Sequence, residues 1–596
     1  MKFIKSLITP KKALIFTIII FGFLFITQGE PYYRSDEWCY YTISKSLIDK
    51  NSFVNSEKPE YFDYMEHVKE TYNNNYISVC SPGVSIIQLP GLIVANFFKG
   101  DKTIYNDYFM AYNGHTLYEG VAALITAMFF ALVSLVLIFK TLKLLGFGDK
   151  TAIISTGASF ISSFAIWYVF LGPSFTHIYE IFAISAIVYP LVKLKKEPRS
   201  RRLLLSMGLA VGLSFLIRPT LIPLGVVIGL YFLVTRRWRS LLYFIAGGIP
   251  TLLLWFAYNL ISYGGIIASG YSVVRTENFN LTNFNGFNML FSQYRGWLIY
   301  SPIFIFAIAG LVLLYKKNKL LSIAALVSIF STIIVYGFWP SWWGGGSYGQ
   351  RFMIFAVPFG AIGLSVIARS AARWQSRKLR MLLYILMILT FAFSLGLVGL
   401  YRITVTSKLS ESFEGKIDGM YSADRYTPFE MYQSNIDLIK NASSVKDYFA
   451  SVYKNVNGGS GILAILTGTS NGVLRVDDRE LAVDKLNVLT PPILRRELPS
   501  EVFGYYKSDI NNKLYTFTIT DIESGDILEI NCASNCSSST KNLILIESNY
   551  GITKLPTAEY VSIVTNKGHF YFKYISNLQF RGFPENIPVG ETEFTI

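Results

Sequence analysis

Charge is what this sequence has least of. Asp, Glu, Lys and Arg together make up 16% of its 596 residues, against about a quarter in soluble globular domains. Histidine and cysteine are also scarce, four of each, and they form no compact His/Cys cluster from which a zinc site can be read. No small-residue cleavage site follows the first apolar run, residues 13–28, so that run reads as a retained helix with its amino end in the cytoplasm rather than a removable signal peptide. No internal repeat is apparent. What is abundant is apolar surface: 52% hydrophobic and 16% aromatic residues, with a mean hydropathy of +0.38. The net charge of +15 does not indicate a nucleic-acid partner. The basic residues lie in short clusters between apolar runs, as cytoplasmic loops of membrane proteins do.

Apolar runs of about 17–25 residues can cross a bilayer as helices, because a helix satisfies its own backbone. Such runs fall near 13–28, 116–139, 151–171, 174–192, 203–217, 219–234, 240–262, 298–315, 319–338, 352–368 and 381–401. The clusters KTLKLLGFGDK, KLKKEPRSRR, RRWR, KKNK and ARWQSRKLR occupy every second loop. That alternation supports about eleven transmembrane helices and puts the carboxyl-terminal region outside. Residues 82–98, with Pro90 and Gly91, would invert the alternation if they crossed, so they read as a helix in or dipping into the outer interface. The expected domains are a transmembrane domain over 1–401, whose first outer loop (29–115) contains juxtamembrane helices; a partly helical connector over 402–455; and an extracytoplasmic β-rich, sandwich-like domain over 456–596, where runs such as LYTFTIT and HFYFKYI alternate with turns. All four cysteines fall on the outer side, so Cys39–Cys80 and Cys532–Cys536 are candidate disulfides.

Just after the first apolar run, YYRSDEWCYY places Asp36 beside Glu37. Ser35 is suited to cap a helix over about 36–49, and acids in a first turn favour the helix dipole. Tyr40, Ile43 and Leu47 have helical spacing, so this helix is expected to lie along the membrane. A structural role alone would account for the acids. The outer loops are otherwise poor in acids, yet they carry Arg218, Arg275, Arg295 and Arg351, against the positive-inside trend. An arginine at a membrane-level cavity is costly unless it meets an anion, and guanidinium binds phosphate through two prongs. A carboxylate facing phosphate-binding arginines suits glycosyl transfer from a lipid phosphate. Arginine stabilises the leaving phosphate, and one carboxylate deprotonates the acceptor hydroxyl.

The order of these motifs resembles membrane glycosyltransferases of the GT-C superfamily, near the protein O-mannosyltransferases and lipid A aminoarabinose transferases. SDEWCYYTISKSLIDKNSF resembles the Asp-Glu opening of their first outer loop, and CSPGVSIIQLP the Pro-Gly segment that closes it. GLAVGLSFLIRPTLIPL resembles a span pair with a basic residue at its outer turn. SQYRGWLIYSPIFIFAIAGL and WWGGGSYGQRFMIFAVPF resemble later segments. The likeness covers roughly residues 1–400.

It implies an inverting transferase that moves a sugar from a polyprenyl-phosphate donor to a glycan, lipid or protein acceptor at the outer face of the plasma or inner membrane. Asp36 would be the general base and Glu37 its neighbour shaping the acceptor pocket. Arg218, Arg351 and Arg295 would contact the donor phosphate. His177 and Glu180 fall where relatives often carry a polar or acidic residue, and Trp343 and Tyr348 flank the glycines 344–346, either as interface aromatics or as sugar-stacking rings. A divalent cation is left open, since some superfamily members use one and others do not. A transporter or flippase of lipid-linked glycans, or a non-catalytic binder, shares these features. A transporter, however, places polar groups near the bilayer midplane in broken helices, whereas here they sit at the outer ends of spans.

Overall fold

The structure, a computed structural model, describes residues 9–31, 33, 36–54, 68–70, 76–98, 102–105, 115–268, 270, 279–345, 348–413 and 427–444, and strand segments between 473 and 573. The candidates Ser35, Arg275 and Cys536, and the side chain of Cys532, lie outside the described residues. The chain divides into two compact units, residues 1–99 with 118–399, and residues 100–117 with 400–596.

The first unit is helical: α1 (Pro10–Gln28), α2 (Asp36–Lys50), α3 (Gly83–Phe97), α4 (Leu117–Leu144), α5 (Asp149–Ser162), α6 (Ala165–Phe170), α7 (Thr176–Lys193), α8 (Arg201–Ile217), α9 (Ile222–Val234), α10 (Trp238–Tyr263), α11 (Gly286–Phe291), α12 (Trp297–Tyr300), α13 (Ile303–Leu314), α14 (Lys319–Gly337), α15 (Val357–Ala371) and α16 (Arg377–Phe413, whose end passes into the second unit). A short antiparallel pair, β1 (Val68–Glu70) with β2 (Tyr76–Ser78), precedes α3.

All eleven apolar stretches are largely helical, but among the described residues six helices are long and apolar enough to cross a membrane: Pro10–Gln28, Tyr118–Leu144, Trp238–Tyr263, Lys319–Gly337, Arg351–Ala371 and Arg377–Tyr401. These six coincide with six of the eleven stretches expected from the sequence. The physical reasons that the other stretches fall outside the six differ. Residues 151–171 break at Phe164, whose φ of 64° is left-handed. Residues 298–315 break at Ser301 and Pro302, where proline removes a donor. Helix α7 carries His177 and Glu180, and the helices over 203–217 and 219–234 are short. Helix α3, with 15 residues, rises about 22 Å at 1.5 Å per residue. That is less than the roughly 30 Å hydrocarbon core, in keeping with an interfacial rather than a crossing segment.

Helix α15 is the buried centre, whereas α1 and α16 expose apolar side chains such as Phe16, Ile19, Phe23, Ile388 and Leu389 that lipid would cover. Small residues let the core helices touch backbone to backbone. A Cβ on Gly310 would meet the carbonyl of Gly363, and one on Gly247 the carbonyl of Leu205, locking α13 to α15 and α10 to α8. Helix α2 does not offer an apolar stripe to lipid. Residues 37–44 are buried, and Cys39, Tyr40 and Ile43 pack with Val79, Val84, Tyr179, Ile217 and Tyr258. Cys39 and Cys80 are joined by a disulfide, which ties α2 to the segment that leads into α3.

The second unit contains the helix α17 (Pro428–Asn441) and antiparallel strands: β3 (Lys102–Tyr105), β4 (His115–Thr116), β5 (Val473–Val476), β6 (Arg479–Glu480), β7 (Val502–Lys507), β8 (Leu514–Thr520), β9 (Glu529–Cys532), β10 (Ile544–Ser548), β11 (Tyr560–Thr565) and β12 (Gly568–Lys573). They form sheets in the orders β4-β3-β5-β6 and β10-β7-β8-β9 and a β11-β12 pair.

Candidate functional site

Asp36 and Glu37 occupy the first turn of α2, where the helix dipole favours negative charge. Their side chains diverge, as adjacent positions on a helix must. Asp36 Oδ2 lies 2.8 Å from Arg351 Nη1 in an ion pair that stays partly open, with 28% and 16% of the two side chains exposed. Glu37 turns inward and is fully buried. Its Oε1 accepts a hydrogen bond from the backbone N–H of Ser174 at 2.7 Å.

That bond anchors the turn before α7. Gln88 of α3 holds the same turn by donating to Ser174 Oγ at 2.9 Å, and Tyr179 donates to the carbonyl of Pro173 at 2.9 Å. The turn delivers Phe175 beneath Arg351, with the guanidinium carbon 5.8 Å from the ring centroid. It also starts the helix turn that bears His177 and Glu180. The Pro-Gly motif acts at the same place. Gly83 packs against the backbone of Leu216 and Ile217, which a Cβ would approach to within 2.4 Å, just before Arg218.

Arg218 ends α8 and forms a 2.9 Å ion pair with Glu180, whose carboxylate is completely buried. Glu180 Oε1 also accepts from Thr176 Oγ1 and lies 3.3 Å from His177 Nδ1. Unpaired charge in such a place would be costly, so pairing is required. The two arginine sites share one wall, Phe352. The guanidinium carbons of Arg218 and Arg351 are 5.6 and 5.5 Å from its ring centroid, which bounds their separation at about 11 Å. Tyr336 also supports that ring, stacked on it at 3.8 Å and 4°.

The glycine-rich loop supports Arg351. Gly344 and Gly345 have φ of 84° and 67°, and a Cβ at Gly344 would sit 2.9 Å from Arg351 Cγ and 3.0 Å from Nε. The missing side chain is thus the channel through which Arg351 reaches Asp36.

The remaining sequence candidates occupy several settings. Arg295 is fully buried with a φ of 70°, its guanidinium carbon 5.4 Å from the Tyr294 ring. Tyr348 is buried against Phe164, with ring centroids 4.4 Å apart. His177 is buried between Tyr168 and Phe175. Trp343 remains partly exposed near Tyr294.

Among the described residues, no group of three or more His, Cys, Asp or Glu side chains is disposed to hold a metal ion. A cluster not foreseen from the sequence lies nearby. Glu119, almost wholly buried at the start of α4, accepts from Tyr41 at 3.0 Å and from Lys45 at 3.0 Å. It fastens the exposed side of α2. Burial, then the Glu119 charge, pushes the Tyr41 and Tyr33 hydroxyls well above the usual tyrosine range. Burial pulls Lys45 down, but Glu119 and then Asp49 outweigh it, and its pKa ends above the usual lysine value. The only sequence signal for this cluster was an acid in the first turn of an apolar helix.

No protein-family model matches the chain, and no curated protein matches it in sequence. Among solved structures, apo ArnT from Cupriavidus metallidurans is similar at 12% identity, over 75% of this chain and 77% of that one, with a TM-score of 0.41. The same protein bound to undecaprenyl phosphate is similar at 11% identity, over 75% and 78%, with a TM-score of 0.40. The oligosaccharyltransferase AglB from Archaeoglobus fulgidus, in complex with an inhibitory peptide and a dolichol-phosphate, is similar at 11% identity, over 90% and 75%, with a TM-score of 0.38.

Proposed function

We propose that the chain is an inverting glycosyltransferase of the outer membrane face, which moves a sugar from a polyprenyl-phosphate donor to a hydroxyl of a glycan, lipid or protein acceptor. In this reading the amino terminus is cytoplasmic, and the strand-rich region beyond residue 456 is extracytoplasmic. The observation that carries the reading is the meeting of Asp36 with Arg351, 315 residues apart in sequence, with Arg218 across the Phe352 ring.

The chemistry follows from the two charges. Arg351 and Arg218 hold the donor phosphate and stabilise the charge that grows on it as the anomeric C–O bond breaks. Asp36 takes the proton of the acceptor hydroxyl while that oxygen forms the new bond to the anomeric carbon. Polyprenyl phosphate leaves from the opposite face, so the configuration inverts. Glu37 acts through structure, by fixing the turn at Ser174 rather than by touching the reacting atoms. Glu180 keeps Arg218 in place, and the partly exposed Trp343 stacks on the sugar or the acceptor.

The test is Asp36→Asn in the full chain, reconstituted in lipid. Transfer should fall by about 10²–10⁴-fold, the usual contribution of a general base, while donor binding persists. Unchanged transfer would overturn the assignment. Mass analysis of envelope glycans with and without the protein would identify the sugar and its acceptor.

A further inference from the structure

The two arginines are already paired with carboxylates, yet the pairs are built differently. Glu180 is completely buried beside Arg218. Moving it away would strand a charge in a dry site, at a cost that buried pairs rarely meet. The arginines are alike, Arg351 at 16% and Arg218 at 15% exposed, but Asp36 is 28% open to solvent, so water competes for that carboxylate and weakens its pairing. The first pair is fixed. The second can exchange.

We infer that Arg351 has two anionic partners in turn, Asp36 when the site is empty and the donor phosphate when it is filled, so that donor binding releases the carboxylate that activates the acceptor. The inference rests on the donor-phosphate reading above. Charge supports it. Asp36, Arg351, Glu180 and Arg218 sum to zero, so a phosphodiester that adds to the group without displacing anything leaves an excess negative charge against a partly desolvated wall. If the phosphate takes Asp36's place on Arg351, the local balance at that guanidinium is restored, and Asp36 can turn toward solvent.

Geometry supports it too. Gly344 and Phe175 hold the stem and plane of Arg351 in position, so the arginine stays while the carboxylate moves. A carboxylate that loses its arginine and gains a phosphate neighbour holds a proton more readily. The base therefore strengthens only once the donor is bound, and an acceptor is not deprotonated before there is a sugar to attack.

The exchange predicts an unusual gain of affinity. Binding of a soluble short-chain polyprenyl phosphate to the full-length protein in nanodiscs would be measured for wild type, Asp36→Asn, Arg351→Met, the double variant and Glu180→Gln. Thermal midpoints would show that each variant is folded. Removing the competing carboxylate should tighten binding by about two- to fivefold, the range in which partly exposed ion pairs fall. The gain should disappear when Arg351 is also replaced, and Glu180→Gln should show none.

If Asp36→Asn binds no more tightly than wild type while Arg351→Met binds more weakly, the exchange is wrong and the phosphate site stands. If the gain survives in the Arg351→Met background, simple repulsion between Asp36 and phosphate explains it, and the exchange is again wrong. If neither Arg351→Met nor Arg218→Met weakens binding, the donor-phosphate reading itself fails.

Discussion

Alanine at Gly344 and alanine at Gly345 make a paired experiment, because the two positions share a backbone cost and differ in what they touch. Both glycines lie in the left-handed region, with φ of 84° and 67°, where an L-residue costs about 1–2 kcal/mol. Both variants should therefore lose about that much stability in thermal or denaturant unfolding. At Gly345 a new Cβ would lie 3.9 Å from Arg351 Nη2, an ordinary contact. At Gly344 it would lie 2.9, 3.0 and 3.3 Å from Arg351 Cγ, Nε and Cδ, whereas carbon contacts are optimal at about 3.5–4.0 Å. These atoms are mid-chain, so the whole guanidinium must shift by several tenths of an ångström or more. Displacements of about 1 Å in a positioned group can cost on the order of 10²-fold in rate. Gly344→Ala is therefore expected to lower kcat/KM for transfer by about 10- to 100-fold more than Gly345→Ala, at similar stability. Equal losses in the two variants, or full activity in Gly344→Ala, would refute the claim that the bare Cα of Gly344 positions Arg351.

Two further outcomes follow from contacts around α2. The Cys39–Cys80 bridge closes a loop with a sequence separation of 41. In the chain-entropy account such a loop is worth about 4 kcal/mol, so mild reductant should lower the unfolding midpoint of the wild type and leave a Cys39→Ser/Cys80→Ser variant unmoved; a wild type indifferent to reduction would count against a stabilising bridge. Lys45 has its pKa raised in the folded protein by Glu119 and Asp49 despite burial. Its stabilising contribution is thus fully present below the ordinary lysine pKa of about 10.5 and is lost as pH rises through the folded value. Wild type should exceed Lys45→Met in stability by a constant margin near neutral pH, and the margin should close above about pH 10.5; a margin that grows with pH would reverse the sign and reject the pairing.

The helices were legible because apolar runs and short basic clusters alternate, and the start of α2 was legible because two acids follow the first run at once. The Pro-Gly segment was legible as a helix; its expected place in the outer interface came from the loop alternation, which a crossing there would have inverted. The breaks were harder. Pro302 gave a signal, but nothing in FISSFAIWY marks Phe164 as left-handed. That conformation depends on its contacts with Tyr348, 184 positions away, and with Gly349. The burial of Arg295 and Tyr348 was hidden for the same reason: both lie in polar-looking loops that fold under their neighbours. The Glu119 cluster was hidden because Lys45 and Tyr41 reach it from 74 and 78 positions away, and no local periodicity encodes such a pair.

Most of the site's charges stand at ends of helical segments, and their signs have a consequence. Asp36 and Glu37 open α2, and Arg218 closes α8. Each has the sign that its helix end favours. Arg351 alone does not: it opens the helical run from 351 to 371, an end that prefers an anion. A cation placed there is held by what surrounds it, namely the glycine channel, the Phe175 and Phe352 rings and the Asp36 carboxylate. An anion that reaches this corner meets a guanidinium and a helix start together, and both attract it. On the donor-phosphate reading proposed above, the residue least favoured by its own backbone is therefore the one that draws the phosphate in.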